Sequence, residues 1–177
     1  ELAMRGAGQI AELTAICDPD VGVIVNVGPV HVEQLGSVAA VAAAKAELIT
    51  GLRAGATAIV PAGEGLLAPH LRADLATVTF GPGGDVDALP PELGLDRLSA
   101  HMRSNALAAL AACRAAGIEP RGPIDVRFSA MRGQRIALAD GSVVINDCYN
   151  ANPMSMRAAL DDLRQTASGR SVAVLGD

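Results

Sequence analysis

No apolar run in this chain is long, and the stretches between the runs are the right length for helices. Val21–Val27, Thr57–Val60 and Thr77–Phe80 are apolar or β-branched and are bounded by Gly, Pro or charge. Val21–Val27 in particular shows no polar alternation until Asn26, the mark of a strand covered on both faces. Between them, Gly8–Cys17, Ser37–Leu52 and Glu64–Leu71 carry helical patterning. Strands that alternate with helices in this way predict an α/β fold with a parallel sheet. Aromatic residues are only 2% of the 177, so the core must be built from Ala, Val, Leu and Ile.

Beyond Phe80 the pattern changes. Gly81–Pro91 has no periodicity and reads as an exposed loop. An Ala-rich helix is expected from Met102 to Ala116, stopped by Gly117 and then Pro120. Arg135–Leu138 and Ser142–Ile145 flank Asp140-Gly141, a hairpin signal. Asn152 as N-cap and Pro153 behind it open a helix reaching about Ala167, and Val172–Leu175 reads as a closing strand. A domain boundary is placed near Arg132, giving 1–131 and 132–177. The chain starts without a methionine and stops directly after a strand-like run, so it reads as a fragment of a longer protein.

Composition excludes several functions. A net charge of −5 without a basic run offers no footprint for nucleic acid. The apolar runs are too short to span a membrane and no signal segment opens the chain, which places it in the cytoplasm. Cys17, Cys113 and Cys148 are odd in number and far apart, and are expected to be reduced packing residues rather than a disulfide frame or zinc site.

One residue conflicts with its own helix. The apolar stripe of Ser37–Leu52 runs Val38, Val41, position 45, Leu48, Leu52, and position 45 is Lys45. An ammonium turned toward a core either snorkels, finds a partner, or loses basicity to desolvation. The Val21–Val27 strand empties just before this helix, and in open α/β sheets chemistry gathers at the carboxyl ends of strands. Asn26, His31 and Lys45 can therefore face one cleft.

Motif scans remove other candidates. Gly6-Ala-Gly-Gln-Ile-Ala11 matches a dinucleotide fingerprint but lacks the strand that must precede it. No G-x-x-x-x-G-K-[ST] loop and no G-x-S-x-G elbow occurs.

Four strings taken together resemble the Mur ligases of peptidoglycan synthesis: Glu1–Ile10, Asn26-Val-Gly-Pro-Val-His-Val-Glu33, Ala44-Lys-Ala-Glu47 and Asn146-Asp-Cys-Tyr-Asn-Ala-Asn-Pro-Met-Ser-Met-Arg157. They cover nearly the whole chain in order. Within that family the nearest pattern is that of the members adding D-alanyl-D-alanine to UDP-N-acetylmuramoyl-tripeptide. Val30-His31-Val32-Glu33 and Tyr149–Pro153 stand where the tripeptide-forming members show Asp-His-Leu-Asp and Tyr-Ala-His-Thr-Pro. The resemblance implies the second half of a central ATPase domain followed by the start of a Rossmann-like C-terminal domain. It implies a ligase, monomeric at full length, that uses ATP and Mg²⁺ to form an acyl phosphate, which the dipeptide amine then attacks.

The same match assigns roles. Glu1 and His31 would hold magnesium together with Lys45, carbamylated by carbon dioxide. Arg132 would meet the transferring phosphate, Asp147 the nucleotide ribose, and Asn105 the nucleotide, within Ser99-Ala-His101-Met-Arg-Ser-Asn105 where the family has Gly-x-His-Asn-x-x-Asn. Tyr149, Asn150 and Asn152 would line the substrate cleft. Each residue read singly has a plainer alternative. His31 can cap a loop, Arg132 can be a solvated charge with Arg135 its true counterpart, and Asn152 can be an N-cap and nothing more. Two other functions stay open: a different ligase of the superfamily, such as a folylpolyglutamate synthase, and a non-catalytic α/β module. The isolated chain is expected to have neither ligase nor ATPase activity.

Overall fold

A computed structural model describes residues 1–30, 32–96, 98–126 and 129–176. The chain divides into two compact units, Glu1–Pro123 and Ile124–Asp177.

The first unit is a three-layer α/β/α arrangement. Strands β1 (Val21–Val23), β2 (Thr57–Pro61) and β3 (Ala76–Phe80) form a parallel sheet in that order. Thr57 pairs with Val21 on one side and Ala76 on the other. Helices α1 (Gln9–Cys17), α2 (Val32–Leu35), α3 (Val38–Gly51) and α4 (Ala100–Ala115) complete it. Alternation along β2 divides the core. Ala58 and Val60 pack with Val41, Leu48 and Leu52 of the α3 side, while Ile59 packs with Phe80, Leu107 and Leu110 of the α4 side. Both faces of the central strand are closed to water, the condition a parallel sheet requires.

Small residues allow the helices this close. A Cβ at Gly22 would lie 3.0 Å from Leu48 Cγ, and one at Gly51 2.9 Å from Thr14 Cγ2. The first lets α3 settle on β1, the second lets α1 settle on α3. Ser37 caps α3 by accepting from Ala40 N–H at 3.1 Å. At the other end Arg72 donates through Nη1 to the carbonyls of Ile49, Thr50 and Leu52 at 3.2, 3.0 and 2.6 Å. A cation against the orphan carbonyls of a helix terminus opposes its dipole and satisfies its acceptors.

Several expected elements change extent. β1 ends at Val23 rather than running to Val27. Thr57 N–H donates to Asp20 O and Ile24 N–H to Ile59 O, a ladder that advances two residues at a time. The next donor on β2 is Pro61, which has no N–H, so the ladder stops. The Glu64–Leu71 helix is instead a series of turns closing in a 3-10 turn at Ala68–His70, because Gly65 and Pro69 interrupt the helix formers. The Gly81–Pro91 loop is not wholly exposed. Asp85 accepts from Thr79 N–H at 2.8 Å and Oγ1 at 2.6 Å, folding the loop back so that Val86 is buried beside Phe80.

In the second unit β4 (Gln134–Ala137) and β5 (Val143–Asn146) pair antiparallel, Gln134 with Asn146 and Ala137 with Val143. Leu138 N–H to Ser142 O and the left-handed Gly141 close the turn. Helix α5 (Pro153–Thr166) starts at a capping box in which Asn152 Oδ1 accepts from Met154 and Ser155 N–H. Arg135 pairs with Asp162 at 3.0 Å, tying β4 to α5. Val172–Leu175 forms no strand and is exposed, since no described segment pairs with it. Cys17 and Cys148 are exposed rather than packed, and all three cysteines are free. Among the described residues no helix is long and apolar enough to cross a membrane.

Candidate active site

The first group of candidate residues lies at the carboxyl end of β1. Beyond Val23 the chain leaves the sheet, and Asn26 turns two acceptors back toward α3. Lys45 Nζ donates to Asn26 O at 2.7 Å and to Asn26 Oδ1 at 3.1 Å. The lysine is half-buried, and desolvation pushes its pKa below the usual lysine range. The stripe position is therefore explained by geometry: the stem follows the core face of α3 and the head escapes to a polar strand end.

Of the other residues expected here, Glu1 is exposed and forms no ion pair with Lys45 among the described residues. His31 lies outside the described residues. Among the described residues no three His, Cys, Asp or Glu side chains gather as a metal site. Asn105 is exposed on α4, four residues after His101, whose Nδ1 lies 3.1 Å from Ser99 Oγ. A cleft of about 510 Å³ lined by Asp20, Arg53, Gly55 and Thr57 lies at the amino ends of β1 and β2. That is the opposite end of the strands from Lys45, and Arg53 is already engaged there by Asp18 and Asp20.

The second group brackets the hairpin of the second unit. Arg132 precedes β4 and Tyr149 follows β5, and the guanidinium carbon sits over the Tyr149 ring, 4.0 Å from its centroid. Tyr149 N–H donates to Met131 O at 3.1 Å. Arg135, the competing arginine, is committed to Asp162, whereas Arg132 forms no ion pair among the described residues. Asp147 is exposed. Asn150 Oδ1 accepts from Ala151 N–H at 2.9 Å, and Asn152 is occupied by its helix. Both asparagine side chains thus hold the chain's entry into α5.

Glu47, in sequence only one member of the Ala44–Glu47 string, has a task in the structure. Its carboxylate accepts from Gly8 N–H at 2.6 Å and Ala11 N–H at 3.1 Å. Gly8, the N-cap of α1, has no side chain to do this. The negative group at the amino end of α1 is therefore borrowed from α3. Within the glycine-rich Gly6–Ala11 stretch the N–H groups of Gly8 and Ala11 are thus already taken by a carboxylate, and that of Gly6 by Gln9 Oε1.

The sequence matches two family models, the Mur ligase middle domain over residues 1–90 and the Mur ligase glutamate ligase domain over residues 131–177. The UDP-N-acetylmuramoyl-tripeptide--D-alanyl-D-alanine ligase of Synechocystis is 36% identical over 99% of this chain and 42% of its own length. The Bacillus subtilis enzyme of the same name is 32% identical over 100% of this chain and 43% of its own. A crystal structure of MurF from Acinetobacter baumannii superposes with a TM-score of 0.80 at 27% identity, covering 93% of this chain and 41% of that one. The chain thus spans about two-fifths of the length of these relatives. With the middle-domain model alone covering just over half of its residues, and a layered parallel sheet of the matching fold, the chain belongs to the Mur ligase family.

Proposed function

We propose that this chain is part of a cytoplasmic ligase that joins D-alanyl-D-alanine to UDP-N-acetylmuramoyl-tripeptide at the expense of ATP. The observation that carries the reading is the match, along essentially the whole chain, to ligases bearing that name. The geometry supports the ligase chemistry at two points. Lys45 is presented at a strand's carboxyl end with its basicity lowered, the state an amine needs to take up carbon dioxide as a carbamate. Arg132 carries a guanidinium without a carboxylate partner among the described residues, so its planar set of donors is available to a phosphoryl group.

In this reading ATP phosphorylates the tripeptide carboxylate, and the dipeptide amine displaces phosphate from the acyl phosphate. Arg132 stabilises charge on the transferring phosphoryl group. Asp147 accepts from the nucleotide ribose, Asn105 contacts the nucleotide, and the Tyr149–Asn152 segment borders the peptide cleft. Glu1, His31 and carbamylated Lys45 would hold Mg²⁺, a donor set of mainly hard oxygens that suits this cation. When bound, the ion neutralises crowded phosphate and carboxylate charge. The full-length enzyme acts as a monomer.

The test is an assay of the full-length protein with UDP-N-acetylmuramoyl-tripeptide, ATP and D-alanyl-D-alanine, with single amino acids and folylglutamate acceptors in parallel. The expected product is the UDP-linked pentapeptide, one ADP per amide bond. Ligation of a single amino acid in preference to the dipeptide, or to a folate acceptor, overturns the substrate assignment.

A further inference from the structure

We propose that Tyr149 is a positioning residue for Arg132: its ring holds the guanidinium ready for a phosphoryl group, and its hydroxyl takes no part. The inference rests on the phosphate role given to Arg132 above. Three observations carry it. The β4–β5 ladder pairs Gln134 with Asn146, and beyond that pair the two chains stay joined by the 3.1 Å bond from Tyr149 N–H to Met131 O. The ring is thereby fixed beside the residue that follows Met131. Met131 itself takes a left-handed φ of 62°, uncommon for a side chain of its kind, so the turn before Arg132 is specified and not a slack loop. Finally, the guanidinium carbon stands 4.0 Å over the ring, inside the range of a cation–π contact.

The choice of partner has a chemical consequence. A carboxylate would occupy two of the five N–H donors of Arg132 and compete with an incoming phosphoryl group. An aromatic face attracts the cation without taking the paired hydrogen bonds that a carboxylate takes, so it does not compete for the donors that a phosphoryl group would use. Arg135 shows the contrast, since its Nη2 is taken up by Asp162. The stacked side chain has also surrendered part of its rotamer freedom before the ligand arrives, which lowers the ordering cost at the reacting step. Tyr149 thus acts through Arg132 and makes no contact with the reacting atoms.

The experiment uses the full-length ligase with Tyr149→Phe and Tyr149→Leu, each in the wild-type and the Arg132→Ala background. Steady-state kcat and KM are measured for ATP, the UDP-tripeptide and the dipeptide, and the Arg132 Nε–H resonance is followed by NMR. Tyr149→Phe should keep the ring-shifted Nε–H signal and lose less kcat than Tyr149→Leu, since it retains the ring face. Tyr149→Leu should lose that shift and lower kcat about two- to fivefold, the range of an exposed cation–π contact, with KM for both peptide substrates unchanged. In the Arg132→Ala background Tyr149→Leu should have no further effect. Equal losses for Phe and Leu, a raised KM for UDP-tripeptide at constant kcat, or additive effects of the two substitutions would each overturn the proposal. If the wild-type protein forms no amide bond, the ligase reading fails instead, and an unshifted Nε–H in the wild type rejects the stacking independently.

Discussion

The two units reach their secondary structure by different routes. In Glu1–Pro123 the strands are held by what covers them. Ile59 and Val41 are completely buried, and the helices touch the sheet through glycine and alanine. In Ile124–Asp177 no described residue is fully buried, and Ile136, Leu138, Val143 and Val144 of the hairpin are exposed. There a turn glycine, a capping box and the Arg135–Asp162 ion pair define the elements. Local signals are enough to specify where a hairpin and a helix begin, but burial supplies most of the free energy that keeps a domain folded. The difference separates being legible from being stable.

Hydrogen exchange on the chain is the sharpest way to break that contrast. Amides of Ala58–Val60 should be protected at least roughly a thousandfold more than those of Val143–Asn146, because only the former require opening of a packed core. Equal protection would show that the second unit has a core of its own. Truncation sharpens the same point. Ile59→Ala should cost about 2–5 kcal/mol in urea unfolding, while Val144→Ala should stay within about 0.5 kcal/mol.

The candidate residues divide along the same line, since Lys45 rests on a packed helix and Arg132 on a surface ring. In the full-length enzyme Lys45→Ala should lower kcat by roughly 10²–10³, with partial recovery on adding short carboxylates that would stand in for the proposed carbamate. An unchanged rate with and without them would remove Lys45 from the reaction. Arg132→Ala should lower kcat by about 10² with little change in substrate KM. Loss of UDP-peptide affinity at constant kcat would instead make it a ground-state binding residue.

The smallest expected effect concerns acid. Hydrogen bonds from Thr79, first through its hydroxyl and then through its backbone, hold Asp85 below its ordinary value of 3.8. A carboxylate with a depressed folded pKa contributes stability above the unfolded value and loses it as pH falls through the folded one. Asp85→Asn should therefore destabilise the first unit slightly near neutral pH and progressively less as the pH falls through the lowered folded pKa, as followed by thermal melts. A penalty that persists undiminished at pH 2 would mean that Asp85 matters for loop shape and not for its charge.

Much of this was readable beforehand because it is local. The α3 boundaries followed from Ser37 and the periodic stripe, the α5 start from Asn152-Pro153, and the hairpin from Asp140-Gly141. Lys45 was conspicuous because a charge interrupted an apolar stripe. What escaped depended on pairing between distant segments. The early stop of β1 is dictated by Pro61 on a different strand, a residue visible in the sequence whose effect appears only once the register is known. Burial of Val86 needs the Asp85–Thr79 contact to return the loop to the sheet. The tasks of Glu47 and Arg72 lie at the ends of helices 20 or more positions away, where no spacing rule points. Tyr149 and Arg132 were each singled out, but their contact follows from strand register.

Lys45 and Glu47 stand two positions apart on one helix and so project from nearly opposite sides of it. One reaches the strand end at Asn26, the other the start of α1. Helix α3 is in this respect an axle with a fitting on each side. It cannot roll to withdraw the lysine from Asn26 without also drawing the carboxylate off Gly8 and Ala11. The close seat of Gly51 against Thr14 resists the same roll one turn further on. The orientation of the Lys45 amine is thus guarded from behind, by a surface that the amine itself never touches.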